Sequence, residues 1–166
     1  MKIAKKKWIA LYTKPRHEKV VYQKLEKKGF EVYLPLIKLK RAWKDREKWI
    51  DQPLFKSYVF VNIELKNSLF LLNTSGVVKI VKFGNKIIPV QNDDIKSLKI
   101  LLKGNFDVQP IDYFLHGDKV IVKNGPLRGF KGEIIQFQNK HRLMIRIDSI
   151  QNSVSIQIEK KFLKKI

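Results

Sequence analysis

The chain has 166 residues and no cysteine, so neither disulfide bonds nor thiolate zinc sites are available to it. A secreted, disulfide-stabilised scaffold is thereby excluded. Long apolar runs are missing as well: after a basic start at residues 2–7, the apolar stretch of residues 8–12 ends before Lys14. This stretch is shorter than the apolar core of a signal peptide and far shorter than the about 20 residues that span a bilayer. We therefore expect a cytoplasmic protein without membrane association.

Motifs of common enzyme classes are also missing. The sequence contains no Gly-rich loop followed by Lys-Ser/Thr, no Gly-x-Ser-x-Gly and no convincing acidic metal-binding cluster. Its histidines, His17, His116 and His141, lie far apart and lack the spacing of metal ligands. The adjacent Asp93 and Asp94 are better explained as residues at the positive N-terminus of a helix than as catalysts. We therefore predict no catalytic residue, no metal and no cofactor.

Positive charge dominates what is present. Lysine and arginine number 35 against 15 acidic residues, a net charge of +20. So large an excess indicates a polyanionic partner or a nucleic-acid-rich assembly. The alternative is a merely soluble basic surface, although solubility requires only a few net charges. With 44% hydrophobic residues the chain is predicted to be globular, with one medium domain or two small ones.

The strongest structural signal is residues 58–63, where β-branched and aromatic side chains are dense. Consecutive apolar residues predict a central strand with both faces covered. Pro53 has no N–H for the ladder, so it is expected only at the start of that strand. Together the patterns predict an α+β domain, an antiparallel sheet flanked by helices. Its other predicted elements are strands at residues 8–13, 30–39 and 77–83, helices at residues 16–28 and 68–72, a turn at Asn85, and a helix from Asn92 to Gly104 that buries Ile95, Leu98 and Leu102.

Residues 38–48 interleave six lysines and arginines with Trp43 and are followed by Trp49. Two interpretations are open. The segment is either a solvated basic hairpin, or a strand pair or loop that touches nucleic-acid phosphates and offers its tryptophans for stacking.

The C-terminal part changes to short β runs, at residues 119–123, 133–137, 143–148 and 154–159. Several short strands in about 50 residues predict a small barrel that removes its own edges by closing. The last two runs alternate strictly, which favours the strands of a barrel. Residues 105–115 lack periodicity and are predicted to be a linker, so the expected domains are residues 1–104 and 116–166.

Three segments of the N-terminal part carry a family resemblance. Residues 53–61 resemble the P-L-F-x-x-Y-V/L-F-V signature of NusG-type transcription elongation factors, a family that includes the RfaH and UpxY groups. Residues 8–18 are similar to the family's W-Y-x-L-Y-x-K-P-R-x-E opening, and residues 76–84 resemble a further family strand. Two positions depart from the pattern, since the family usually has proline at the position of Lys56 and glycine or asparagine at that of Ser57.

The C-terminal part carries a second resemblance. Residues 117–135 match a complete KOW motif, G-D-x-V-x-V-x-x-G-P-x-x-G-x-x-G-x-V/I. Gly125, Gly129 and Gly132 would permit its tight turn and the close approach of two strands. A KOW motif by itself implies only a small barrel that binds RNA or protein.

The resemblance implies an elongation and antitermination factor that binds the clamp helices of RNA polymerase and suppresses pausing. The charge, the lysine-rich start and the C-terminal residues 155–163 are most like the operon-specific UpxY and RfaH paralogs. The implied partners are the polymerase, non-template DNA or nascent RNA, and a ribosomal protein or termination factor on the KOW domain of a monomer. A KOW-containing ribosomal or structural RNA-binding protein is the alternative.

The same resemblance assigns residues to these contacts. The polymerase groove would contain Tyr12, Phe55, Tyr58, Phe83, Ile95 and Leu98. Nucleic acid would contact Lys14, Arg16, Lys24 and Lys28, and the KOW partner would contact Arg128 and Phe130.

Overall fold

The computed structural model describes residues 5–166, so the first part of the basic start, residues 2–4, lies outside the described residues. Contacts divide the chain into two compact units, one ending at Asn92 and one running from Asp93 to Ile166. The division assigns the helix that follows Asn92 to the second unit, whereas the sequence prediction placed it in the first domain. Among residues 5–166 no helix is long and apolar enough to cross a membrane.

The elements of the first unit are β1 (Lys7–Thr13), α1 (Glu18–Lys27), β2 (Glu31–Tyr33), β3 (Leu36–Trp43), β4 (Arg46–Pro53), β5 (Tyr58–Ile63), a 3-10 helix (Leu65–Asn73), β6 (Val77–Ile80), β7 (Lys82–Phe83), β8 (Lys86–Ile87) and β9 (Pro89–Val90). They are built on a five-stranded antiparallel sheet with the order β2-β5-β1-β6, in which β9 pairs with a second part of β1. The interior position of β5 confirms the predicted central strand. One face of β1 and β5 packs against Val21 and Leu25 of α1 and forms the core.

Prolines explain two errors in the sequence prediction. The single strand expected at residues 30–39 is divided before Leu36, because Pro35 has no N–H for the ladder, and its two parts belong to different sheets. Pro53 ends β4 and pairs with Leu36, whereas it was expected to open the central strand. The β3–β4 sheet has only two strands, so both are edges and tolerate proline.

The second unit consists of α2 and a six-stranded antiparallel sheet. The elements are α2 (Asn92–Lys103), β10 (Gln109–Ile111), β11 (Asp118–Val122), β12 (Lys131–Phe137), β13 (Lys140–Ile147), β14 (Asn152–Gln157) and β15 (Leu163–Lys165). The strand order is β10-β14-β13-β12-β11-β15. Across residues 5–166 the ladders form a path with β10 and β15 at its two ends, so the predicted closure does not occur through strand pairing. In α2, Ile95 and Leu98 are buried as predicted, but the third buried residue is Leu101, whereas the prediction named Leu102, which is half-buried.

Residues 105–115, predicted to be a linker, are joined to the sheet of the second unit by strand pairing and by side-chain hydrogen bonds. Because β10 pairs with β14, part of the segment is itself a strand. The buried Arg142 of β13 donates to the Asp107 carbonyl at 2.8 Å and to Ser155 Oγ at 2.8 Å. Arg146, on the same face, donates to the carbonyls of Tyr113 and Leu115. The alternating strands β13 and β14 are consequently buried on both faces, the apolar one and this polar one.

The glycines of the KOW motif have the predicted roles. Gly125 and Gly129 have φ angles of 84° and 89°, which L residues rarely adopt. A Cβ atom at Gly132 would lie 2.4 Å from the carbonyl oxygen of Met144 on the neighbouring strand. The motif is therefore explained by backbone geometry.

Candidate functional site

An aromatic pair lies on the sheet of the first unit. Tyr12 of β1 and Tyr58 of β5 are direct cross-strand neighbours, and their rings meet edge to face at 5.5 Å with an interplanar angle of 70°. Lys79 of β6 is the neighbour of Tyr12 on its other side, and its ammonium lies 5.6 Å from the centre of that ring. We call Tyr12, Tyr58 and Lys79 the aromatic surface. Its two rings are half-buried, so each presents part of its area to solvent.

Two further rings support this face. Phe55, in the turn before β5, meets Phe60 edge to face at 6.3 Å, and both are almost fully buried. Phe55 therefore has a packing role in this structure, and on this face Tyr12 and Tyr58 are the aromatic residues available to contact a partner. Burial and the neighbouring Tyr12 raise the pKa of Tyr58, which further favours the neutral hydroxyl that can donate a hydrogen bond.

The other three predicted groove residues differ in exposure. Phe83 is 79% exposed on the β7–β8 hairpin. Ile95 and Leu98 are buried in α2, which belongs to the second unit. Of the six predicted residues, ring contact joins Tyr12 to Tyr58, and a separate ring contact joins Phe55 to Phe60.

A cleft of about 770 Å³ opens between the N-terminus of α1 and the β3–β4 hairpin. We call it the basic cleft, because its lining includes Arg16, Lys19, Arg41 and Lys56. Lys19 Nζ donates to the carbonyl of Asp51 at 2.6 Å and so ties the hairpin to the helix. The lining thus holds an excess of cations, four against the two carboxylates of Glu18 and Asp51.

Within the basic cleft, the buried carboxylate of Glu18 fixes the backbone at Ser57. Glu18 Oε1 accepts the backbone N–H of Ser57 at 2.7 Å, and the Ser57 carbonyl accepts the N–H of Thr13 at 2.8 Å. Ser57 has a φ of 66°, the left-handed conformation that glycine and asparagine adopt most easily. This geometry gives a physical reason for the residues that the family usually has at this position.

The structure separates the four predicted nucleic-acid residues. Arg16 lines the basic cleft, and Lys14 is exposed in the turn before it. Lys24 and Lys28 bind the loop before β6: their Nζ atoms lie 3.5 Å from the Ser75 carbonyl oxygen and 3.0 Å from Thr74 Oγ1. Sequence reasoning did not assign Lys19, Arg41 or Lys56 to this site, although Arg41 belongs to the basic run and Lys56 stands where the family usually has proline.

The KOW turn presents Arg128 in an exposed position and Phe130 half-buried. The Phe130 carbonyl accepts the N–H of Val122 at 2.9 Å, which fixes the turn on β11. Beside it lies a cavity of about 330 Å³ whose lining includes Pro126, Leu127 and Phe162. In the described part of the chain, no cluster of three or more His, Asp or Glu side chains is arranged to hold a metal.

Comparison with known proteins assigns the chain to a family. Residues 6–99 match the family model described as transcription termination factor nusG. The transcription termination/antitermination protein NusG of Borreliella burgdorferi is 20% identical over 181 aligned positions, which cover 96% of this chain and 98% of that protein. A solved structure of Thermotoga maritima NusG, on the interaction of its domains, has a TM-score of 0.57 at 21% identity and 98% coverage of both chains, so the two share a fold. The chain therefore belongs to the NusG family of transcription factors.

Proposed function

We propose that this protein is a transcription elongation and antitermination factor that binds the clamp helices of RNA polymerase through its aromatic surface. The observation that carries the proposal is the row formed by Tyr12, Tyr58 and Lys79 across three adjacent strands. All three residues lie within the region that matches the NusG family model. Binding would hold the polymerase in its elongating conformation, a population shift without chemistry of the factor's own.

The chemistry of the aromatic surface suits a helical partner. Tyrosine rings bury a large area with few rotatable bonds, which makes them efficient anchors in a groove that holds a helix. Lys79 adds a cation beside the rings. We infer that the matching stretch of the partner is amphipathic, with apolar side chains over the tyrosines and a carboxylate near Lys79.

The basic cleft is the part of the first unit best suited to nucleic acid, either non-template DNA or nascent RNA. Its cations would contact phosphates and so supply affinity without sequence choice. On the second unit, Arg128 and Phe130 would contact a ribosomal protein or termination factor. The protein would act as a cytoplasmic monomer, and its net charge of +20 favours an operon-specific role of the UpxY kind.

A pull-down of core RNA polymerase tests the proposal. The Tyr12→Ala, Tyr58→Ala double variant removes both rings of the aromatic surface, and Phe83→Ala tests the exposed hairpin ring separately. Trp49→Ala is the matched control, because Trp49 is an exposed aromatic residue (63%) on a different element. We expect the control to bind like the wild type and the folded double variant to lose binding. Retention by the double variant would refute the assignment of the aromatic surface.

The alternative, a structural RNA-binding protein of the ribosome, is favoured by the charge and the KOW motif alone. It predicts co-sedimentation with ribosomes at high salt and no binding of polymerase. It also leaves the aromatic surface without a role.

A further inference from the structure

The β3–β4 hairpin carries two strongly exposed tryptophans, Trp43 (69%) and Trp49 (63%). The hairpin forms a separate two-stranded sheet, and nearly all its outer residues are exposed. Neither indole contributes to a core at that exposure. Two large apolar side chains left in water on one projecting hairpin therefore call for another explanation.

The strand register places the two indoles on opposite faces. Directly opposed residues of an antiparallel pair point to the same side, and successive residues alternate. Trp43 pairs with Arg46, so these two side chains lie on the same face. The next pair on that face, two residues away along each strand, is Arg41 with Lys48. We call these four residues the cationic face. The other face holds the pairs Lys40 with Trp49, Ala42 with Glu47 and Lys38 with Asp51, and we call it the neutral face.

The two faces differ in charge. On the neutral face Lys40 forms an ion pair with Glu47, and Lys38 stands opposite Asp51, so the charges cancel. The cationic face, whose residues are all described, carries three cations and no carboxylate, and Arg41 stands directly opposite Lys48. Like charges in that position destabilise a strand pair. An anion lying across this face would relieve that repulsion.

The cationic face continues into the basic cleft. Arg41, Ile50 and Gln52 lie on the same side of the hairpin and also line the cleft, and the Arg41 guanidinium donates to Gln52 Oε1 at 3.3 Å. Cations therefore recur from the hairpin into the cleft, where four of them line the wall together with Glu18 and Asp51. An indole at one end and cations along the rest match the two features of a nucleic-acid strand, the exposed base faces and the phosphates.

We propose that the cationic face of the β3–β4 hairpin binds an unpaired nucleic-acid strand, with a base stacked on Trp43 and phosphates on Arg41, Arg46 and Lys48. The inference rests on the proposed nucleic-acid role of the first unit and specifies its ligand and its face. Because the contacts go to base faces and phosphates, DNA and RNA strands of the same sequence should bind equally. An anionic membrane is a poorer match, since the outer part of this face offers one large apolar side chain and membrane binding by an interfacial segment needs a broad apolar area.

The test uses the full chain, labelled single-stranded DNA and RNA oligonucleotides, and the corresponding DNA duplex. Trp43→Ala should weaken binding of both single strands by about 5- to 100-fold, the usual effect of losing one stacking platform. Trp49→Ala, the same chemical change on the neutral face, should change affinity less than twofold. Since both side chains are exposed, neither variant should impair folding.

Salt dependence and fluorescence give independent readouts. Replacing Lys48 by glutamine should reduce the slope of log affinity against log salt by about 0.7, whereas Lys38→Gln on the neutral face should leave it unchanged. The chain has three tryptophans. Oligonucleotide should quench fluorescence in the wild type and in Trp49→Phe but much less in Trp43→Phe.

Several results would overturn the inference: equal losses in the two tryptophan variants, duplex binding as tight as single-strand binding, or binding of anionic vesicles in place of oligonucleotides. Its failure is distinct from failure of the proposed function. If Trp43→Ala still captures polymerase and the aromatic-surface variant does not, while neither differs in oligonucleotide binding, the function stands and this inference falls. If Trp43→Ala loses oligonucleotide binding and no form of the protein captures polymerase, this inference stands and the proposed function falls.

Discussion

Arg142 should hold residues 105–115 on the sheet of the second unit, and Arg142→Met tests this. The side chain is 3% exposed and makes four hydrogen bonds: to Ser155 Oγ (2.8 Å), the Ser155 carbonyl (3.0 Å), the Asp107 carbonyl (2.8 Å) and Asp107 Oδ2 (3.1 Å). Methionine keeps the apolar stem and removes every donor. Ser155 Oγ and the carbonyl oxygens of Ser155 and Asp107 would each lose the hydrogen bond from the guanidinium group.

The expected magnitude follows from those contacts. Removing one partner of a fully buried ion pair costs about 3–5 kcal/mol. The Asp107 side chain is 56% exposed and would regain water, so its share is discounted. The remaining three hydrogen bonds, at about 1 kcal/mol each, give a loss of about 3 kcal/mol in the free energy that protects β10.

Hydrogen exchange in the intact protein is the suitable assay. All three tryptophans lie in the first unit, so their fluorescence does not report on the second. A loss of about 3 kcal/mol corresponds to about 100-fold faster exchange of the protected amides of β10. Arg128→Met, at an exposed arginine of the same unit, is the control and should leave the exchange rate unchanged. Unchanged protection in Arg142→Met would refute the view that this side chain holds the segment.

Three further predictions concern single groups. Ser57→Gly should stabilise the first unit by about 0.5–1 kcal/mol, because relief of a left-handed backbone (about 1–2 kcal/mol) exceeds the entropy that glycine loses; a lower midpoint of thermal unfolding would contradict this. Burial raises the pKa of Asp94 to about 6, and the nearby charges of Asp148 and Asp93 add to the effect. The native state therefore binds a proton at Asp94 before the unfolded state does, and its free energy of unfolding rises as pH falls from 7 through 6 towards the unfolded pKa of 3.8. Asp94→Asn should therefore stabilise the second unit at pH 7 by about 1–2 kcal/mol and abolish the rise in stability at lower pH. A pH profile of hydrogen exchange that keeps the wild-type slope would contradict the assignment of this pH dependence to Asp94. The hydrogen bond from Arg146 lowers the pKa of Glu133 despite partial burial, so the stabilisation by the ionised Glu133 is present above pH 4.5 and is lost as pH falls below that value. Arg146→Gln should reduce this acid-side loss in the same measurement, and the N–H of Gly117 would preserve the remainder.

Much of the fold was predictable from local patterns. The dense β-branched and aromatic run at residues 58–63 became the interior strand β5, and the alternating runs of the C-terminal part became β13 and β14. The prediction was wrong where a proline divided a run, at Pro35, and where a segment without periodicity acquired structure, at residues 105–115. That segment is ordered by Arg142 and Arg146, which lie some 30 residues further along the chain, so no local pattern marks it.

The candidate site was predictable in part. Tyr12 and Tyr58 were expected to share a groove, and the register of β1 and β5 makes them neighbours. Phe55 was expected beside them as a contact residue, but its burial depends on Phe60 and the turn before β5. Lys24 and Lys28 look as free as Arg16 in the sequence, yet their ammonium groups bind the loop at residues 74–75.

The sequence by itself determined the family, the strand and helix types and the excess of positive charge, because motif spacing, side-chain periodicity and composition are local or additive properties. Tertiary structure alone decided which of these groups act together. Strand register put Trp43 among cations and Trp49 beside a compensated ion pair, although the two indoles lie in one basic run. Register and burial depend on contacts between distant segments, and a change of one residue in pairing moves a side chain to the opposite face.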